Sequence, residues 1–247
     1  MTKADRPRLS PDEVALIKSM VVHRDEHVIA FNKPAGLSSQ GGRIKANTLD
    51  DLLWFFAKAS GNRPRLIHRL DRDTSGIILT GRTQPAASFL GKAVQARRLR
   101  KTYLAIVAPG APQPKGGEIN APLKREEIGR ESYMRVADPG DPEAQEARTI
   151  YRTLAANDEA ALVELNPVTG RMHQLRVHLA SIGRPIVGDA RYGGALTAGG
   201  KSAPRLMLHA RTLVFPHPDL SGPMTVEAPV PADFEAVLTA VGLSVPA

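Results

Sequence analysis

The chain has 247 residues, enough for one large domain or two small ones and for a core that needs no disulfide or metal staple. It contains no Cys, which excludes disulfides, thiolate nucleophiles, zinc–thiolate sites and iron–sulfur clusters. Its 33 Lys and Arg against 25 Asp and Glu give a net charge of +8, a balance that favours a polyanionic partner, most often nucleic acid.

No apolar run approaches the roughly 18 residues of a membrane span. The N-terminus, MTKADRPRLSPDE, lacks the apolar stretch of a signal peptide, so the expected location is cytoplasmic. Ser10-Pro11-Asp12-Glu13 reads as a capping box opening a short helix that buries Val14, Ile17 and Val21 or their neighbours. Val28 to Phe31 has strand length and is stopped by Lys33-Pro34-Ala35-Gly36. Leu49, Leu52, Leu53 and Phe56 form a helical stripe capped by Thr48. Leu66-Ile67 and Ile77 to Leu79 read as strands on either side of a polar stretch, and residues 84–98 as a second helix. A basic run, Arg97 to Lys101, precedes a strand at Thr102 to Val107.

Residues 109–147, rich in Gly, Pro and charge, read as long loops with one hairpin. Thr149 to Leu154 and Ala160 to Leu165 form a hairpin around Asn157-Asp158-Glu159. A helix over 171–182, late strands at Leu213 to Phe215 and Met224 to Glu227, and a closing helix with Phe234, Val237, Leu238 and Val241 complete the chain. Strands and helices mix without strict alternation. That predicts an α+β fold, a largely antiparallel or mixed central sheet flanked by helices. The 4% aromatic content argues against a sheet-borne stacking platform for single-stranded RNA.

Two stretches carry candidate chemistry. His68-Arg69-Leu70-Asp71-Arg72-Asp73-Thr74-Ser75-Gly76 is a dense polar segment held between apolar strands, where a rigid scaffold commonly displays reactive groups. Asp71 and Asp73 fit an acid–base pair or a magnesium site, or else an Asx-type turn closing onto Gly76. In the 171–182 helix, Met172, Leu175, Leu179 and Ile182 form the inward stripe, stopped by Gly183 and Pro185. Arg176 lies about 40° from Met172 and about 60° from Leu179, at the edge of that stripe. A guanidinium there needs a carboxylate or phosphate partner, through a structural ion pair or by holding a catalytic carboxylate ionised. His173 and His178 point apart and read as surface or capping residues.

Together HRLDRDTSG at 68–76, KTYLAIV at 101–107 and GRMHQLRVHLASIGRPIVGD at 170–189 resemble the RluA-type pseudouridine synthases. Asn32-Lys33-Pro34-Ala35-Gly36 matches that family's NKPxG motif, and Leu206-Met207-Leu208-His209-Ala210 its late L-x-L-H-A strand. The resemblance runs from about residue 22 to about 234. It implies a cofactor-independent enzyme that isomerises uridine in ribosomal or transfer RNA to its carbon-linked form, with a central active-site cleft. It also implies Asp71 as the catalytic carboxylate, Tyr103 as the active-site Tyr, Arg176 as the partner of the carboxylate, and Arg69 as a residue that can fill the gap left by a flipped base. Arg97, Arg98, Arg100, Lys101 and Arg171 join Arg69 as candidate RNA contacts, though Arg97 to Lys101 equally fits a solvated helix end.

Residues 1–20 read as a short extension with a capped helix in place of the family's N-terminal RNA-binding domain, and 21–247 as the catalytic domain. Gln40-Gly41-Gly42 departs from the family's commoner His-containing loop. A metal-free monomer with no obligate protein partner and no membrane association is expected. The competing readings are a carboxylate-dependent nuclease or glycosidase using Asp71 and Asp73, and a non-catalytic RNA-binding protein. The second should have lost Asp71, Tyr103 or Arg176, and all three are present.

Overall fold

A computed structural model describes residues 7–41, 47–59, 61–129 and 131–246. Gly42 of the Gln40–Gly42 loop and the first six residues of the extension lie outside them. The fold is α+β, and its backbone forms two compact units: Met1–Leu99 with Ala210–Pro229, and Arg100–His209 with Val230–Ala247.

In the first unit, α1 (Pro11–Ser19) starts on the expected capping box. The Ser10 hydroxyl accepts from the Glu13 N–H, and the Glu13 carboxylate accepts from the Ser10 N–H. Ile17 is the buried residue of this helix, while Val14 is half-buried. Strands β1 (Val21–Arg24) and β2 (Val28–Lys33) form an antiparallel hairpin. The predicted 49–56 helix is α-helical only over α2 (Leu49–Leu52); Leu53–Phe56 tightens into a 3-10 turn. Thr48 caps it, and Leu49, Leu52 and Leu53 supply the buried stripe.

Strands β3 (Arg65–Leu66) and β2 both pair antiparallel with β4 (Ser75–Gly81), which is buried along its whole length. Next comes α3 (Gln84–Gln95), shorter than predicted. Arg97 adopts a left-handed conformation, and the Arg97 and Arg98 N–H groups close back on the Val94 and Ala93 carbonyls, which ends the helix.

The second unit is built on β5 (Arg100–Val107), followed by β6 (Gly116–Asn120), β7 (Leu123–Ile128), β8 (Glu131–Val136), β9 (Arg148–Ala156) and β10 (Ala161–Pro167). β10 lies antiparallel between β5 and β9, and β9 pairs in turn with β6. The 109–147 region is therefore more ordered than its composition suggests. It contains the expected hairpin, β7–β8, and also a strand that extends the sheet. Pairing with β9 supplies the backbone partners that its Gly- and Pro-rich sequence does not advertise. The Asn157 carboxamide oxygen accepts from the Glu159 and Ala160 N–H groups and makes the β9–β10 turn as expected.

Helix α4 (Gln174–Ser181) and the short hairpin β11 (Thr197–Ala198) and β12 (Lys201–Ser202) follow. β13 (Leu208–Pro216) starts in the second unit and continues into the first, where it forms a hairpin with β14 (Pro223–Glu227). The chain closes with α5 (Ala232–Ala240), where Phe234, Val237 and Leu238 are buried. Val28, Ala30, Ile77, Leu79, Leu90, Leu213, Phe215 and Val226 form a core of the first unit. No described helix is long and apolar enough to cross a membrane.

Candidate active site

Asp71 sits at the first position of a turn closed by the Thr74 N–H on the Asp71 carbonyl at 3.2 Å, between β3 and β4. The NKPxG motif and the loop that follows it grip this turn from both sides. The Ser39 hydroxyl donates to the Leu70 carbonyl at 2.7 Å and accepts from the Leu70 N–H at 3.1 Å. On the other side the Arg72 carbonyl accepts from the Gly36 N–H at 2.9 Å and from the Lys33 ammonium at 3.0 Å.

Lys33 is fully buried and also donates to the carbonyls of Pro34 and Leu37. A buried ammonium is tolerated because several oriented carbonyls replace its water. The residues before and after Asp71 are thus fixed by Ser39 and by Lys33 with Gly36. Gly76 completes the frame: its φ is +114°, and a Cβ there would overlap the backbone of Ala210 in β13. Asp73 is held by the neighbouring Arg72 guanidinium at 3.0 Å, in an exposed pair. A turn, not an extended strand, carries the two carboxylates.

In the second unit, Tyr103 lies on β5 opposite Leu165 of β10 and is 7% exposed. Two residues earlier, Lys101 falls on the same face of the strand, and burial pushes its ammonium down to about 8.

Arg176, expected at the edge of the inward stripe, lies buried on α4. Its guanidinium makes a two-pronged pair with Asp189: Nε to Oδ2 at 2.8 Å and Nη2 to Oδ1 at 2.7 Å. Asp189 also accepts from the Arg191 and Tyr192 N–H groups. The Tyr192 ring covers the guanidinium at 5.0 Å. Its hydroxyl accepts from the Met134 N–H and contacts His173 Nδ1, and burial pushes the phenol up. Gly188, with φ +79°, precedes Asp189; a Cβ there would overlap the Arg205 carbonyl.

Helix α4 begins three residues later than the predicted 171, because His173 takes a left-handed conformation, φ 52°. Gln174 explains the break. Its Oε1 accepts from the Thr169 hydroxyl and the Arg171 N–H, and its Nε2 donates to the Arg148 carbonyl and the Thr149 hydroxyl. The helix is buried from Gln174 through Leu179, so it lacks the polar face a surface helix would have. His178, expected at the surface or as a cap, is fully buried between the Thr149 hydroxyl at 2.8 Å and the Ala121 carbonyl at 3.0 Å. Burial lowers its pKa and keeps it neutral.

Of the proposed RNA contacts, Arg69, Arg97, Arg98 and Arg100 are exposed. Lys101 is half-buried. So is Arg171, whose Nε donates to the Glu146 carbonyl. Sequence reasoning gave no role to Lys33, Ser39, Gln174, Asp189 or Tyr192, although all but Ser39 and Tyr192 lie inside the quoted motifs.

A family model described as RNA pseudouridylate synthase matches residues 27–181, a span that holds Asp71, Tyr103 and Arg176. The chain belongs to the RluA-type RNA pseudouridine synthases. This synthase is 37% identical over 218 residues to the dual-specificity RNA pseudouridine synthase RluA of Salmonella typhi, covering 87% of this chain and 94% of the relative. It is 34% identical over 241 residues to the ribosomal large subunit pseudouridine synthase C of Vibrio parahaemolyticus, covering 96% and 73%. Among solved structures, human RNA pseudouridylate synthase domain containing 4 superposes with a TM-score of 0.81 at 28% identity, covering 96% of this synthase and 99% of that chain. The synthase is an isomerase acting on RNA.

Proposed function

We propose that the synthase isomerises specific uridines of ribosomal or transfer RNA by base flipping, with Asp71, Tyr103 and Arg176 as its catalytic residues and 21–247 as its catalytic domain. The observation that carries this reading is the grip on Asp71, whose neighbours on both sides are fixed by Ser39, Gly36 and buried Lys33. A carboxylate so placed is preorganised for chemistry. Extruding a base from folded RNA costs a few kcal/mol, which phosphate contacts to a basic protein offset.

In the proposed reaction, ionised Asp71 promotes cleavage of the N1–C1′ bond. The uracil turns in place and C5 bonds to C1′. The C5 proton then leaves with help from the Tyr103 hydroxyl, and N1 takes up a proton. Arg176 is the third residue of the proposed set, the plane of its guanidinium set by Asp189. No cofactor enters this balance. One relative's printed name refers to the ribosomal large subunit, which supports ribosomal RNA as a substrate. A cytoplasmic location and a monomeric state belong to the same proposal.

The nuclease and glycosidase reading is weakened by Asp73, which Arg72 holds in an exposed ion pair. The test is tritium release from ring-labelled uridine in ribosomal and transfer RNA transcripts. The wild-type protein should release tritium, and Asp71→Asn should fall to background with RNA affinity within about twofold of wild type. Wild-type-like turnover by Asp71→Asn would remove Asp71 from the chemistry.

A further inference from the structure

The synthase has one Trp, four Tyr and six Phe, and three of these eleven stand consecutively at Trp54-Phe55-Phe56. They occupy the 3-10 turn after α2, where about three residues per turn splay consecutive side chains in three directions. Each ring carries a cation: Arg63 lies 5.4 Å from the Trp54 ring, Lys18 5.1 Å from Phe55, and Arg24 5.4 Å from Phe56.

The three pairs differ in kind. Arg63 is locked by a two-pronged pair with Asp50, at 2.8 and 2.7 Å, and serves the fold. Lys18 and Arg24 are exposed and have no ion-pair partner among the described residues. Asp25, next to Arg24 in the chain, is engaged with His23, His217 and the His27 and Val28 N–H groups. Phe56 packs on fully buried Phe31 at 5.7 Å and braces Phe55 edge-to-face at 5.0 Å. Phe55 keeps 37% of its surface exposed, with Phe56 packed against it and Lys18 of α1 beside its ring.

A braced, exposed ring flanked by unpaired cations is how proteins take up an unpaired nucleotide: the base stacks and the phosphates find the charges. We propose that Phe55, Lys18 and Arg24 form an accessory contact for a single-stranded segment of the RNA substrate, with a base stacked on Phe55 and neighbouring phosphates on Lys18 and Arg24. The inference rests on the RNA-modifying reading only for the class of its partner. It concerns residues other than those of the Asp71 turn and the basic run 97–101.

The experiment uses the full chain and a fluorescein-labelled oligouridylate, with a 5-iodouridine version for photocrosslinking. Binding is followed by anisotropy across a salt series, and turnover by single-turnover tritium release from saturating ribosomal RNA transcript. Phe55→Leu keeps apolar bulk and loses the ring, and should weaken oligouridylate binding about fivefold or more. Lys18→Glu with Arg24→Glu should weaken it further and lower the single-strand salt slope by about 1.4, the loss of two phosphates. The wild-type crosslink should map to the peptide containing Phe55, and the single-turnover rate should be unchanged in both variants.

Wild-type affinity and salt slope in both variants, or a crosslink that avoids residues 53–58, overturns the proposal. Weakening by the charge variant alone overturns the stacking contact. Weakening of Phe55→Leu with no crosslink to Phe55 points to an apolar protein-type surface and also overturns it. If wild type forms no pseudouridine while the variants lose binding, the catalytic reading fails and this one stands.

Discussion

Asp189 touches Arg176 through both carboxylate oxygens and is itself tied to the backbone of Arg191 and Tyr192, so it fixes the plane of the guanidinium. Lys at 176 would keep the charge and lose the fork. Arg176→Lys and Asp189→Asn should therefore lower the single-turnover rate by about tenfold or more while leaving RNA affinity within about threefold. A loss confined to affinity and salt slope would make Arg176 a phosphate contact instead. Lys101 offers a separate test by pH. Burial holds its ammonium near 8, so it is charged at pH 7 and neutral by pH 9. If Lys101 contacts phosphate, wild-type RNA affinity should fall between those values and Lys101→Arg should flatten the curve, because Arg stays charged. Identical pH profiles for the two proteins would remove Lys101 from the interface.

The NKPxG motif with its following loop and helix α4 each present a candidate residue by satisfying buried polar groups close to it. Lys33 holds three carbonyls in one loop cluster, at 2.8 to 3.0 Å. Lys33→Met would leave those carbonyls underbonded and should cost about 1–3 kcal/mol of stability. Ser39→Ala is the milder probe: it frees both polar groups of Leu70 and should reduce turnover more than RNA affinity, as single-turnover kinetics beside equilibrium binding would show. On α4, Gln174 and His178 join the helix to Thr149, Thr169 and Ala121, which is why a helix buried through six consecutive residues can contain Gln, Arg and His.

In the first unit, two chain segments far apart in sequence are joined by one carboxylate. Asp25 contacts His23 at 2.6 Å and His217 at 3.2 Å, and accepts from the His27 and Val28 N–H groups. Burial alone would raise its carboxyl. The hydrogen bonds from His23, Val28, His27 and His217 overcome that and hold it well below the usual carboxylate range. A depressed carboxyl stabilises the folded state above its unfolded pKa, near 3.9, and loses that contribution as pH falls toward its folded value. Asp25→Asn should therefore destabilise the protein by about 1–3 kcal/mol at pH 7. The gap to wild type should narrow as pH drops from 5 to 3, read by thermal melts. A gap independent of pH would mean that shape, not charge, joins the two segments.

By itself the sequence determined which residues are candidates for the chemistry and how most of the chain is cut into elements. Capping chemistry at Ser10 and Thr48, the Asn157 turn and the periodic apolar stripes act over a few residues, and local physics is written locally. Asp71, Tyr103 and Arg176 stand out as candidates because ordered motifs carry them, and helical period puts Arg176 at the edge of the inward stripe, where the structure buries it. Tertiary structure decided the rest. Asp189 as the partner of Arg176, Ser39 and Lys33 as the frame of Asp71, the burial of His178 and the pairing of β6 with β9 all depend on groups distant in sequence or in separate elements. A buried polar group must find a partner, but composition and spacing do not say which one comes within about 3 Å; only the folded backbone sets that distance.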